Sequence, residues 1–124
     1  MKKPSITNPD QSKFLIDLGI KPDSSDFYYI PSINPKDPED VSFDLYPKYL
    51  KGKDLRGIPA WSVGALLELL ESNEKFGEFK IIKRTYYHGE MVYKDKSKGY
   101  LRTDDFETPI EAAIDMIKFS LNKN

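Results

Sequence analysis

A chain of 124 residues with a formal net charge of −1 has the length of one domain and enough surface to bury one core. Its 39% hydrophobic and 13% aromatic content argues against disorder throughout, and the lack of cysteine excludes disulfides, thiolate catalysis and cysteine-ligated zinc. No window approaches the ~20 apolar residues of a membrane helix. Met1-Lys2-Lys3-Pro4-Ser5 leads into polar sequence without the apolar core of a signal peptide. The expectation is a single cytoplasmic domain over 1–124, with no membrane partner and a flexible lead at 1–7.

Charge is unevenly spread. Residues 10–44 hold eight acids against Lys13, Lys21 and Lys36, a net of −5. Residues 80–102 hold seven bases against Glu90 and Asp95, a net of +5.

The first element is a short helix at about 9–18. Asn8 is the cap, Pro9 fits the first helical position, and Gln11 completes a capping box. Phe14, Leu15 and Leu18 form its apolar stripe, and Gly19 provides a left-handed stop. After a polar turn, Phe27-Tyr28-Tyr29-Ile30 reads as a short strand closed by Pro31. Residues 31–59 contain five prolines, each of which removes a backbone donor, and this predicts a long irregular segment. Phe43, Leu45, Tyr46, Tyr49 and Leu50 should pack that segment onto the domain.

Pro59 to Leu70 reads as a central apolar helix, buried on several sides. The sheet follows. Phe79–Tyr87 is strand-rich, His88-Gly89 is a turn signal, and Met91-Val92-Tyr93 returns. Lys96-Ser97-Lys98-Gly99 then turns into Tyr100–Thr103, completing an antiparallel meander. Lys83 shares a parity with Phe79 and Ile81, so a bulge near Ile82 is expected. Thr108-Pro109-Ile110-Glu111 opens the last helix with a capping box and proline at the first position. Ile110, Ala113, Ile114, Ile117 and Leu121 recur on one face. The fold class is therefore α+β: a two-layer domain with a three-stranded antiparallel meander against two main helices. A short N-terminal helix and the proline-rich segment complete it.

Four blocks carry a resemblance: Gln11–Ile20, Ser25-Asp26-Phe27-Tyr28-Tyr29, Ile58-Pro59-Ala60-Trp61-Ser62 through Leu70, and Thr108–Ile117. Over nearly its whole length the chain resembles short uncharacterised proteins of phages, prophages and conjugative elements of Bacteroidota bacteria. Pro-Ala-Trp-Ser is the most specific block; the set often has proline after the Leu-Leu pair, where this chain has Glu71. The resemblance implies a bacterial host and a mobile-element setting, in which small proteins commonly bind a host or rival protein.

Chemistry-bearing residues are sparse. His88, the only histidine, stands in an expected exposed turn with no second histidine to share a metal. Asp104, Asp105 and Glu107 precede the last helix, where acids are favoured by its dipole with no activity implied. Asp37, Glu39, Asp40 and Asp44 lack the glycine and terminal glutamate of a calcium loop. No phosphate loop, nucleophile elbow or zinc-helix motif occurs. The sequence thus implies no enzyme, no metal and no cofactor.

Two binding surfaces remain. Lys80, Arg84, Tyr86, Lys94 and Arg102 would share the open face of the sheet, and basic residues interleaved with aromatics hold single-stranded nucleic acids elsewhere. Tyr46 and Tyr49, in Tyr46-Pro47-Lys48-Tyr49-Leu50, offer rigid aromatic anchors for a protein. The expected function is non-enzymatic: a phage-like accessory protein binding a host or mobile-element protein, as an inhibitor of a host or defence enzyme. Binding of nucleic acid or a nucleotide through the basic face is the alternative.

Overall fold

The computed structural model describes residues 6–48 and 57–121. They form an α+β fold of three helices and two three-stranded antiparallel sheets. The chain divides into two compact units, Thr7–Ser62 in one and Val63 onward, with Ile6, in the other. Tyr49 and Leu50 lie outside the described residues, as do residues 1–5 of the expected flexible lead.

In the first unit, α1 spans Pro9–Asp17 with the full Asn8–Gln11 capping box. Gly19 takes φ 102°, and the Ile20 N–H returns to the Leu15 carbonyl at 3.1 Å, so the stop works as its residue type dictates. Thr7 is fully buried and ties three residues together through four hydrogen bonds. Its N–H donates to the Trp61 carbonyl, its carbonyl accepts from the Tyr29 hydroxyl, and its Oγ1 meets the Trp61 N–H and the Ser12 hydroxyl. Trp61 is itself fully buried, with Nε1 donating to Ser24 Oγ at 2.9 Å. A buried indole with its N–H satisfied contributes its whole apolar area to the core.

The proline-rich segment departs from the expectation of irregularity. β1 (Phe27–Asn34) and β2 (Asp37–Pro47) form a long hairpin, and β3 (Ile58–Ala60) pairs with the first residues of β1, giving the order β2-β1-β3. The prolines are tolerated because of the register. Lys48 N–H donates to the Asp26 carbonyl at 2.9 Å, and antiparallel partners alternate between bonded and non-bonded pairs. Pro31–Phe43 and Phe27–Pro47 are therefore non-bonded pairs, in which the missing N–H faces away from the partner strand. On the other side of β1 the same parity leaves Tyr28–Pro59 non-bonded. None of these three prolines removes a bond the β1 ladders need. The expected helix from Pro59 likewise starts later: Ile58-Pro59-Ala60 is strand, and α2 runs Val63–Glu71.

In the second unit, β4 (Phe76–Lys83), β5 (Tyr87–Tyr93) and β6 (Tyr100–Arg102) form the expected meander. The last helix, α3 (Pro109–Leu121), opens with Glu111 N–H on the Thr108 hydroxyl and that hydroxyl on the Glu111 carboxylate. Helix α3 packs on β5 and α2 on β4, and the two helices touch each other. Leu66, Leu70, Phe76, Met91, Ile110, Met116 and Ile117 make the core.

Two expectations about this sheet are corrected. The first turn lies at Arg84-Thr85-Tyr86, where the Arg84 N–H bonds the Tyr86 carbonyl at 2.8 Å; His88-Gly89 is inside β5. Gly89 serves close approach rather than a turn, because a β-carbon there would meet the Met116 side chain. The irregularity in the β4–β5 register falls at Phe76–Glu78, not at Ile82. Lys83 needs no bulge, since it ends the strand exposed and places its ammonium 5.7 Å from the Tyr87 ring centre.

Candidate protein-binding surface

The side chains of directly opposed strand residues lie on the same face. In the hairpin, Phe27–Pro47, Tyr29–Leu45, Pro31–Phe43 and Ile33–Val41 therefore share one face, and every member is apolar or aromatic. Near the base, Tyr29 is half-buried and bonded to Thr7. Toward the tip the face opens to solvent: Ile33 is 61% exposed, Val41 41% and Phe43 44%, with Pro31 exposed beside them. The opposite face carries polar side chains at the same level, Ser32–Ser42 and then Asp44 across from the apolar Ile30. Large contiguous apolar surface rimmed by polar groups is a recurrent feature of interaction sites, which makes this row the candidate surface.

The electrostatics of the hairpin are one-sided. Asp37, Glu39, Asp40 and Asp44 stand against Lys36 alone over 27–47, a net of −3. Asp37 accepts from the Glu39 N–H and Asp40 from the Asn34 side-chain amide, which shapes the tip. Among the described residues, no three metal-ligating side chains come together.

Tyr46, singled out from the sequence, lies in β2 opposite Tyr28 on the polar face and is 40% exposed. The apolar row beside it was missed. Its signal was legible: Val41-Ser42-Phe43-Asp44-Leu45 alternates strictly, the mark of a strand with one apolar face. The five prolines of residues 31–59 mask that alternation.

On the other sheet, Lys80, Glu90 and Arg102 stand in one row across β4, β5 and β6. Lys80 Nζ lies 3.6 Å from Glu90 Oε2, and Arg102 donates to Asp105 Oδ1 at 2.9 Å. Arg84 and Tyr86 belong to the turn instead of the sheet face, and Lys94 follows β5, its N–H on the Lys75 carbonyl. Five residues expected on one face are thus distributed over a strand row, a turn and a strand end. Carboxylates stand beside two of the cations, which weakens their pull on phosphate.

His88 is buried at 3% exposure, correcting the expected exposed turn histidine. Its Nε2 lies 3.2 Å from Glu90 Oε1, so the imidazole N–H donates there, and Nδ1 is 3.9 Å from Asp105. The His88 hydrogen bond, helped by Lys80, holds the Glu90 carboxyl below its ordinary value. Asp105 and His88 converge, whereas the Asp104 charge acts on Asp115, and its backbone carbonyl accepts from the Thr103 hydroxyl. A shallow hollow of about 600 Å³ beside Gly77 sets Glu71 and Glu78 against Lys80 and Lys94, and His88 does not line it. No helix among the described residues is long and apolar enough to cross a membrane.

No protein-family model matches this chain, and neither a curated protein nor a solved structure does.

Proposed function

We propose that this chain is a non-enzymatic binding protein whose target is another protein, engaged through the exposed apolar face of the β1–β2 hairpin. The single observation behind this reading is the row Pro31, Ile33, Val41 and Phe43, apolar and open to solvent on one side of an otherwise acidic hairpin. Acidic charge around that row repels phosphate, which favours a protein over a nucleic acid at this surface. The resemblance to mobile-element proteins supplies the setting: the target is a host or element protein, and the consequence of binding is inhibition of a host or defence enzyme. The nucleic-acid alternative through Lys80, Arg84, Tyr86, Lys94 and Arg102 is less supported, given the Glu90 and Asp105 carboxylates among those cations.

Affinity capture from a bacterial host lysate, with and without nuclease, tests this reading. The tagged chain should retain one dominant protein after nuclease treatment, and the Ile33→Asp, Phe43→Asp double variant should lose it. Retention of nucleic acid by both the native chain and the variant would overturn the proposal.

A further inference from the structure

The hairpin has a second exposed feature besides its apolar face, namely the outer edge of β2. Strand order β2-β1-β3 makes β2 an edge, and among the described residues no strand lies beyond it. It is 11 residues long, with every residue from Asp37 to Asp44 exposed. The bond from Lys48 to Asp26 fixes which way its backbone groups point. Ser42, Asp44 and Tyr46 turn their N–H and C=O groups to β1, so those of Val41, Phe43 and Leu45 turn outward. Natural edges are usually blunted by lysine, proline or bulges. Here prolines stand at 38 and 47, and residues 39–46 between them contain neither proline nor lysine.

We infer that this edge takes up an extended segment of the partner protein as an added antiparallel or parallel strand, and that the segment alternates apolar with lysine or arginine residues. The inference rests on the protein-binding reading above and deepens it. Three outward donor–acceptor pairs at Val41, Phe43 and Leu45 give the main-chain bonds that strand addition uses. An added strand continues the period of the sheet, so its apolar residues extend the row Ile33–Val41 and Pro31–Phe43 on one face. Its alternate residues fall on the other face beside Asp44, with Asp40 four residues earlier on the strand, where cations are attracted and carboxylates repelled. The same charge argues against a second copy of this chain as the occupant. Self-pairing of two β2 edges would bring together two hairpins of net −3.

A random-peptide display library, selected on the full chain and counter-selected on its Phe43→Asp variant, tests the inference. Ile33→Asp serves for counter-selection if the first variant does not fold. Enriched peptides should alternate apolar with basic residues. On binding a synthetic copy of one, the amides of Val41, Phe43 and Leu45 should exchange with solvent about tenfold or more slowly. N-methylation along one edge of the peptide should weaken binding by about tenfold or more. Peptides that bind yet leave those three amides exchanging freely, or that tolerate N-methylation throughout, would sink strand addition while leaving the protein-binding reading in place. The same holds if the free protein sediments as a dimer with those amides already protected. Selection that yields no peptide able to distinguish the native chain from the variant would overturn both.

Discussion

The carboxylate of Asp26 accepts two hydrogen bonds from Ser62, one from its backbone N–H at 2.9 Å and one from its hydroxyl at 2.5 Å. This joins the residue before β1 to the residue after Trp61, 36 positions along the chain. Bonds to a charged acceptor contribute more than neutral ones, and the N–H would lose its partner on truncation. Asp26→Ala should cost about 1.5–3 kcal/mol, read from the midpoint of urea unfolding. A variant as stable as the native chain would show that this link is not holding the hairpin base.

Gly89 tests the approach of α3 to the sheet. An added β-carbon would stand 2.5 Å from Met116 Cγ, and Met116 is fully buried with little room to withdraw. Gly89→Ala should destabilise by about 1–3 kcal/mol. The loss should be partly recovered when Met116→Ala is combined with it, because the two changes act on one space. Strict additivity in chemical denaturation would contradict the contact.

Glu90 gives a pH signature. Its pKa is lowered from 4.5, chiefly by the His88 hydrogen bond and then by Lys80. A depressed carboxyl stabilises the fold above its unfolded pKa and loses that contribution as pH falls through its folded value. Glu90→Gln should therefore be less stable than the native chain near neutrality, and the difference should vanish in acid below the depressed value. Thermal melts across that range, with a constant gap between the two proteins as the contrary result, decide it.

Asp115 carries the opposite sign. Burial raises its carboxyl above the ordinary 3.8, and the Asp104 charge adds to this, while Lys118 at 4.0 Å opposes it. Its charged form is held at a cost at neutral pH, so Asp115→Asn should raise the melting temperature there. The gain should shrink as pH falls through the raised value and disappear below the unfolded one. A variant that melts lower at neutral pH would mean the Lys118 pairing outweighs burial.

The sequence by itself determined the parts whose causes are local. Asn8-Pro9 with Gln11, Gly19, and Thr108-Pro109 with Glu111 set helix ends, because each cap is satisfied within a few residues and needs no tertiary partner. The meander and its second turn at Lys96–Gly99 followed from residue type and short spacing. What only the tertiary structure decided depends on which side a group faces. Pro31, Pro47 and Pro59 break a strand or sit within one according to whether their missing N–H points at a partner, and cross-strand register alone fixes that. Gly89 reads as a turn residue until Met116 lies against it. His88, placed in a turn by its neighbour, is buried beside Glu90 once the turn moves to Arg84-Thr85-Tyr86. The apolar row of the hairpin stood in the alternation Val41-Ser42-Phe43-Asp44-Leu45. Its exposure could not be read there, because alternation says that a strand has an apolar face and only packing says whether anything covers it.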